Sequence, residues 1–263
     1  MLLFQLSTLA VTLILFAVVI AATAGGHYIG RWERGRSGGN NEPFGVMQAA
    51  MLGFMGLVLA FGLSLAVGRY EDRRAAVVNE SNAIDTAYLR AQTLPEPSRT
   101  RSLDLLRQFT DASIRIAQTV PASAEQDAAI AGSERTQRAL WSEAGGALAA
   151  QPTATAPRLY VESLNEAFDA QSTRIYGLDN RVPTAVLLLE IVGAAIALGL
   201  LALHLAALGR GLSTVLVAAI LVTLTLVVTL DLDRPVRGLI QVNATPLTDV
   251  RASMAKPPAS AGP

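Results

Sequence analysis

Apolar residues run almost without interruption from Leu2 to Ala24, Gly45 to Gly68, Pro183 to Leu208 and Leu212 to Leu230, and charge collects between these runs. Each run can cross the hydrocarbon core as a helix rising about 1.5 Å per residue. The pattern therefore predicts four transmembrane helices with both termini on one side. The second run passes through Arg69, Glu71, Asp72, Arg73 and Arg74 with no helix breaker before Leu94, so one helix is expected to cross the membrane and continue into water. Residues 69–181 have the spacing of helices separated by prolines. Pro95 and Pro97 end the stalk, Ser98 is placed to cap a helix through about Thr119, and Pro121 with Ser123 starts another towards Gln151. Leu103, Leu106, Phe109, Ile114 and Ala117 give the middle helix an apolar face suited to a bundle. Gln151 to Pro157 reads as a loop, and a helix from about Arg158 is expected to run through Leu164 and Phe168 to the third span. Pro183 would kink that helix or open a new one.

No alternation typical of strands and no internal repeat interrupts this pattern. The expected fold class is an all-α integral membrane protein. Residues 1–68 hold the first two spans, 69–181 a helical cytoplasmic stalk domain, 182–231 the last two spans, and 232–263 a C-terminal cytoplasmic segment. Its end, KPPASAGP, is too polar and proline-rich to fold alone and is expected to be disordered. The first run could instead be a signal peptide, with AATAGG supplying small residues for cleavage. However, its start lacks Lys and Arg and its apolar stretch is too long, so it reads as a span.

Composition narrows the function. Hydrophobic residues make up 51% of the chain, and 21 basic residues balance 21 acidic ones, so no basic excess points to nucleic acid. Without cysteine there is no disulfide, thiolate metal site or cysteine nucleophile. Glycine-rich phosphate loops, HExxH and GxSxG are all missing from the sequence, so no enzyme and no cofactor are expected. Sidedness follows from Lys and Arg near the spans. The side of the termini collects Arg69, Arg73, Arg74, Arg174, Arg181, Arg234, Arg237, Arg251 and Lys256, against Arg31, Arg34, Arg36 and Arg210 opposite. This places the termini and residues 69–181 in the cytoplasm of a bacterial inner membrane, although RWERGR pulls the other way.

Within the second span, Gly56, Ala60, Ser64 and Gly68 recur every fourth residue, as do Gly45, Ala49 and Gly53. Small residues at this spacing let membrane helices pack closely. Alternatively the helix crowds round an axis with copies of itself, and Gly53, Leu57, Phe61 and then Ser64 or Leu65 line a pore that gates by dewetting. Along the stalk, short polar residues point either to buried helix-to-helix hydrogen bonds or to a wet vestibule faced by Asn79, Asn82 and Thr86. Glu190 lies inside the third span, where an ionised carboxylate needs a partner or water. It could be an ion-pathway ligand, a proton carrier, a partner for an arginine, or a residue near enough to the boundary to reach headgroups. Thr214, Thr225 and Thr229 read as packing residues, and His27 and His204 as isolated interface residues.

The run VLAFGLSLAVGRY resembles the second transmembrane segment of bestrophins, pentameric anion channels with four spans, cytoplasmic termini and a helical cytoplasmic domain between spans two and three. RYEDRRAAVVNESNAIDTAYLRA, the late pair of apolar spans and DLDRPVRGLI together resemble a bacterial bestrophin-like family of unknown function, from about Gly53 to Arg251. The resemblance implies a pore neck at Gly53, Leu57 and Phe61. Gly53 departs from the bulky residue expected there, which widens the neck or passes the role to Phe54. The acidic cluster that binds calcium in animal bestrophins has no counterpart after the last span, and the aromatic pair after the arginine is reduced to Tyr70 followed by Glu71. Calcium gating is therefore not implied. The family motif DLDRPVRG implies a structural lock in which Asp231, Asp233, Arg234 and Arg237 pair with Arg69, Glu71, Asp72 and Arg73. A divalent site at Asp231 and Asp233 with Glu71 or Asp72 is the alternative, without the loop spacing such sites use.

These observations lead to an oligomeric ion channel in contact with membrane lipid and ions, pentameric by resemblance, with an apolar neck leading into a cytoplasmic vestibule. A non-conducting sensor or assembly protein that couples the bilayer to a soluble partner would use the same layout.

Overall fold

The computed structural model describes residues 8–34, 42–210, 213–234, 236 and 238–256. Its helices are α1 (Thr8–Arg34), α2 (Glu42–Ala91), α3 (Ser98–Gln118), α4 (Ala124–Ala150), α5 (Thr155–Asp179), α6 (Thr184–Ala207), α7 (Ser213–Leu232) and α8 (Thr245–Ser253). No strand occurs among the described residues. By length and composition, four helices can cross a membrane: Leu9–Arg34, Gly45–Ala91, Thr184–Ala207 and Ser213–Leu232. The chain divides into two compact units, Met1–Tyr70 with Arg181–Gln241, and Glu71–Asn180 with Val242–Pro263.

In the first unit α1 packs on α6 and α7, and α6 on α7. Val11, Leu15, Leu59, Ala66, Leu187, Ala194, Leu226 and Leu230 form its main apolar cluster. The first helix extends well beyond Ala24, the end expected from the hydrophobic run, and takes Arg31 and Arg34 into its last turn. The extension adds GHYIG, whose glycines lie against the backbone of α6. A Cβ at Gly26 would overlap the Gly199 carbonyl oxygen, and one at Gly30 the Leu203 carbonyl oxygen. Small residues spaced by four let two backbones touch in this way. Of the α2 glycines whose spacing suggests packing, Gly45 faces the His204 ring, 3.5 Å from where a Cβ would stand, while Gly53, Gly56 and Gly68 have open space around them within the chain.

In the second unit Ile84, Tyr88, Leu106, Phe109, Leu140, Tyr160 and Leu164 make the core, with the Phe109 and Phe168 rings edge to face at 5.5 Å. The expected apolar face of α3 is present: Leu103, Leu106 and Phe109 are buried, and Ile114 and Ala117 pack against the core. Ser98, however, is the first residue of α3 rather than its cap. Glu96 supplies the capping oxygens instead, accepting from the Thr100 amide at 3.3 Å and the Thr100 hydroxyl at 3.0 Å. These Thr100 bonds, with one from Arg99, hold the Glu96 carboxyl below the usual carboxylate range. Ser123 does cap α4, accepting from the Gln126 amide at 3.2 Å, and Gln126 Oε1 returns to the Ala122 amide at 2.8 Å.

The loop expected at 151–157 is shorter, because α5 begins at Thr155. Nor does α5 run on into the next helix. It ends at Asp179, and Pro183 stands at the N-cap of α6, where its fixed φ and missing N–H cost least. The hydrophobic pattern gave no sign of α8, which lies on α3 with Leu247 fully buried. Just beyond it, the Met254 carbonyl accepts from Tyr88 Oη at 3.0 Å and from Arg107 Nη2 at 3.3 Å. Residues 257–263, where the proline-rich tail is expected to be disordered, lie outside the described residues.

Candidate functional site

Two faces of α2 differ sharply. Gln48, Met55, Leu59, Gly62 and Ala66 are buried in the first unit. The other face carries Gly53, Leu57, Phe61 and Ser64, all exposed, with Leu57 at 54% and Phe61 at 67%. Phe54 is 60% exposed and Leu65 borders the same surface. The helical period explains the split: two residues turn about 200° round the axis, so Leu57, Phe61 and Ser64 face away from Met55, Leu59 and Gly62. Large apolar side chains with no cover from their own chain suit lipid or another membrane helix. In the second unit Asn79 and Asn82 are exposed and Thr86 is half-buried.

The buried polar chemistry of the stalk lies on the opposite side of the helix. Glu80 is completely buried and pairs with Arg174 Nε and Nη2, while Arg174 Nη2 also donates to the Ser113 carbonyl at 3.1 Å. Gln171 extends this network, donating to Ser113 Oγ at 2.5 Å and accepting from Ser133 Oγ and Gln137 Nε2, both at 2.8 Å. Sequence reasoning did not identify this ion pair. A signal was nevertheless present: Val77 and Ile84 bracket Glu80 at helical spacing and put it on the buried side.

The DLDRPVRG segment is built around carboxylates that accept from backbone. Both oxygens of the fully buried Asp233 lie 3.2 Å from the Val182 amide, just before α6. Asp231 Oδ1 accepts from the Leu239 amide at 2.9 Å and Oδ2 from the Ile240 amide at 2.8 Å. Gly238 permits this turn, since a Cβ there would meet the Asp231 carbonyl and carboxylate at 2.8 and 2.9 Å. Of the arginines grouped with these aspartates, Arg234 is buried, Arg73 is buried and donates to the Asn180 carbonyl at 3.3 Å, and Arg237 lies outside the described residues. Arg69 is half-buried, and Glu71 and Asp72 are exposed. Glu71 meets Arg74 at 3.6 Å on the surface, a pair of little energetic weight. Among the described residues no three His, Asp or Glu side chains gather as metal ligands.

Asp233→Ala should leave the buried Val182 N–H without an acceptor and destabilise the protein by about 1–3 kcal/mol, whereas Asp233→Asn keeps an oxygen and should lose less. Thermal unfolding of the purified variants measures both.

Glu190 is fully buried in α6, and neither carboxylate oxygen has a hydrogen-bond partner among the described residues.

A family model for the bestrophin-like domain matches residues 9–247. The chain therefore belongs to the bestrophin-like family, and its four apolar helices make it a membrane protein. Solved structures share the fold at low identity. A tryptophan-to-alanine variant of a bacterial bestrophin homologue from Klebsiella pneumoniae superposes with a TM-score of 0.69 at 16% identity, covering 95% of this chain and 96% of that one. The structure of a bestrophin homologue from the same organism phased by Zn-SAD gives 0.65 at 16% identity, over 92% and 94%. A leucine-to-alanine variant described as a membrane protein gives 0.70 at 13% identity, over 92% and 97%. No curated protein matches the chain.

Proposed function

We propose that this chain is one subunit of a homo-oligomeric ion channel in which copies of α2 surround the pore. The observation that carries the reading is the exposed face of α2, where Leu57 and Phe61 project from the subunit beside glycines with open space around them. In a ring of subunits that face would turn towards the axis. Rings of Leu57 and Phe61 would form an apolar constriction, which resists conduction by excluding water. Gly53 would leave the ring at its level wide unless Phe54, also exposed, turns in.

Asn79, Asn82 and Thr86, further along the same helix, are the proposed lining of a vestibule. The pentamer and the cytoplasmic placement of residues 69–181 and of both termini, in a bacterial inner membrane, belong to the same reading. They rest on the family resemblance and on the distribution of Arg and Lys.

Ion flux from liposomes containing the parent protein, Leu57→Ala or Phe61→Ala tests it. Shortening either side chain should wet the constriction and raise flux several-fold, and opposing anion and cation gradients then give the selectivity. Absence of flux from all three, with folding and insertion verified, would reject conduction in favour of a sensor or assembly role.

A further inference from the structure

Glu190 occupies a notch. A Cβ added at Gly62 of α2 would overlap its carboxylate, so the absence of a side chain at position 62 is what lets the acid lie against that helix. Three residues along α6 the relation reverses, with Met55 of α2 filling the space over Gly193, its Sδ and Cε 2.5 Å from where a Cβ would stand. Each helix thus seats a side chain in a glycine notch of the other.

No charge answers Glu190 from the surrounding spans. Residues 9–26 of α1, 45–68 of α2 and 213–230 of α7 contain no Asp, Glu, Lys, Arg or His. The titratable groups on those helices begin only at His27 and Arg31, Arg69, and Asp231. On α6 itself the other such group is His204, about 21 Å along the helix axis.

An ionised carboxylate in this place needs water or a cation, and a carboxyl that keeps its proton needs neither. The filled notch provides no charged partner for the ionised form. We propose that Glu190 is an intramembrane proton-binding site, and that loading and unloading it seats and unseats α2 on α6. Proton binding stands apart from conduction; only the consequence for Leu57 and Phe61 rests on the channel reading.

The test uses the full-length protein in liposomes with dicyclohexylcarbodiimide, an apolar reagent that traps protonated carboxyls. The carboxyl oxygen adds to the carbodiimide carbon, the proton passes to a carbodiimide nitrogen, and the adduct rearranges to a stable N-acylurea with nothing released. Peptide mass spectrometry reads the labelled fraction at residue 190. Labelling should be at least tenfold greater at about pH 6 than at about pH 9, should vanish in Glu190→Gln, and should be unchanged by sodium at fixed pH. No labelling at any pH, or labelling that ignores pH, would overturn the proton site; protection by sodium would replace it with a metal-cation site. Where flux is measurable, Glu190→Gln should lose the pH response that the parent shows. Flux that keeps this response would reject the coupling to α2, and absent flux with intact labelling would reject conduction alone.

Discussion

Replacing Gly26 with alanine is expected to break the α1–α6 pairing. The added methyl group would overlap the Gly199 carbonyl oxygen, which belongs to a helix backbone and cannot rotate away as a side chain would. The helices must therefore separate. That separation also lifts Gly30 from Leu203 and Gly199 from the Ala22 carbonyl, 3.2 Å from where a Cβ at position 199 would stand. Overpacking a membrane core against side chains costs about 1–3 kcal/mol, and an unyielding backbone puts this variant at or above the top of that range. Size-exclusion profiles and thermal unfolding in detergent should show Gly26→Ala strongly depleted in folded protein. Gly53→Ala is the control, because its Cβ meets only open space in the subunit. It should fold like the parent, within about 0.5 kcal/mol. A large loss for Gly53→Ala in the assembled protein alone would instead locate that face at a contact between copies.

The contrast between those glycines shows what the sequence could convey. The second helix was legible because apolar composition, the charged exit at Arg69 and the lack of a breaker all agree over 50 residues. Closing the first span at Ala24 hid GHYIG, since charge at Arg31 and Arg34 looks like water although the helix continues through it. The small-residue spacing of α2 was equally visible, but spacing cannot say whether a partner lies inside the subunit or in another copy. The DLDRPVRG charges suggested ion pairing. That their oxygens also accept from the amides of Val182, Leu239 and Ile240 depends on how the chain returns past them and not on local pattern. The short helix α8 carries a proline and few apolar residues, so it holds its place by burying Leu247 rather than by propensity. Leu57, Phe61 and Glu190 were visible as residue types at a depth in the membrane. The exposure of the first two and the glycine notch of the third required the fold.

Arg174→Ala should be among the most damaging single changes in the second unit. Glu80 has no exposed surface, and Val77, Ile84 and Ala87 are buried on the same stretch of α2. Removing the guanidinium strands the carboxylate and leaves the Ser113 carbonyl without the Nη2 donor at 3.1 Å. Breaking a buried pair from one side costs about 3–5 kcal/mol. Glu80→Ala should cost a comparable amount, because it leaves the cation with only the carbonyl to solvate it. The double replacement Glu80→Leu with Arg174→Met removes both charges together and fills the volume, so it should be less destabilising than either single change. Thermal unfolding of Glu80→Leu, Arg174→Met and the double variant beside the parent measures the cycle. A double variant as unstable as the sum of the singles would show that the two residues act independently, and that the weight of the site lies in the Gln171, Ser113 and Ser133 hydrogen bonds around them.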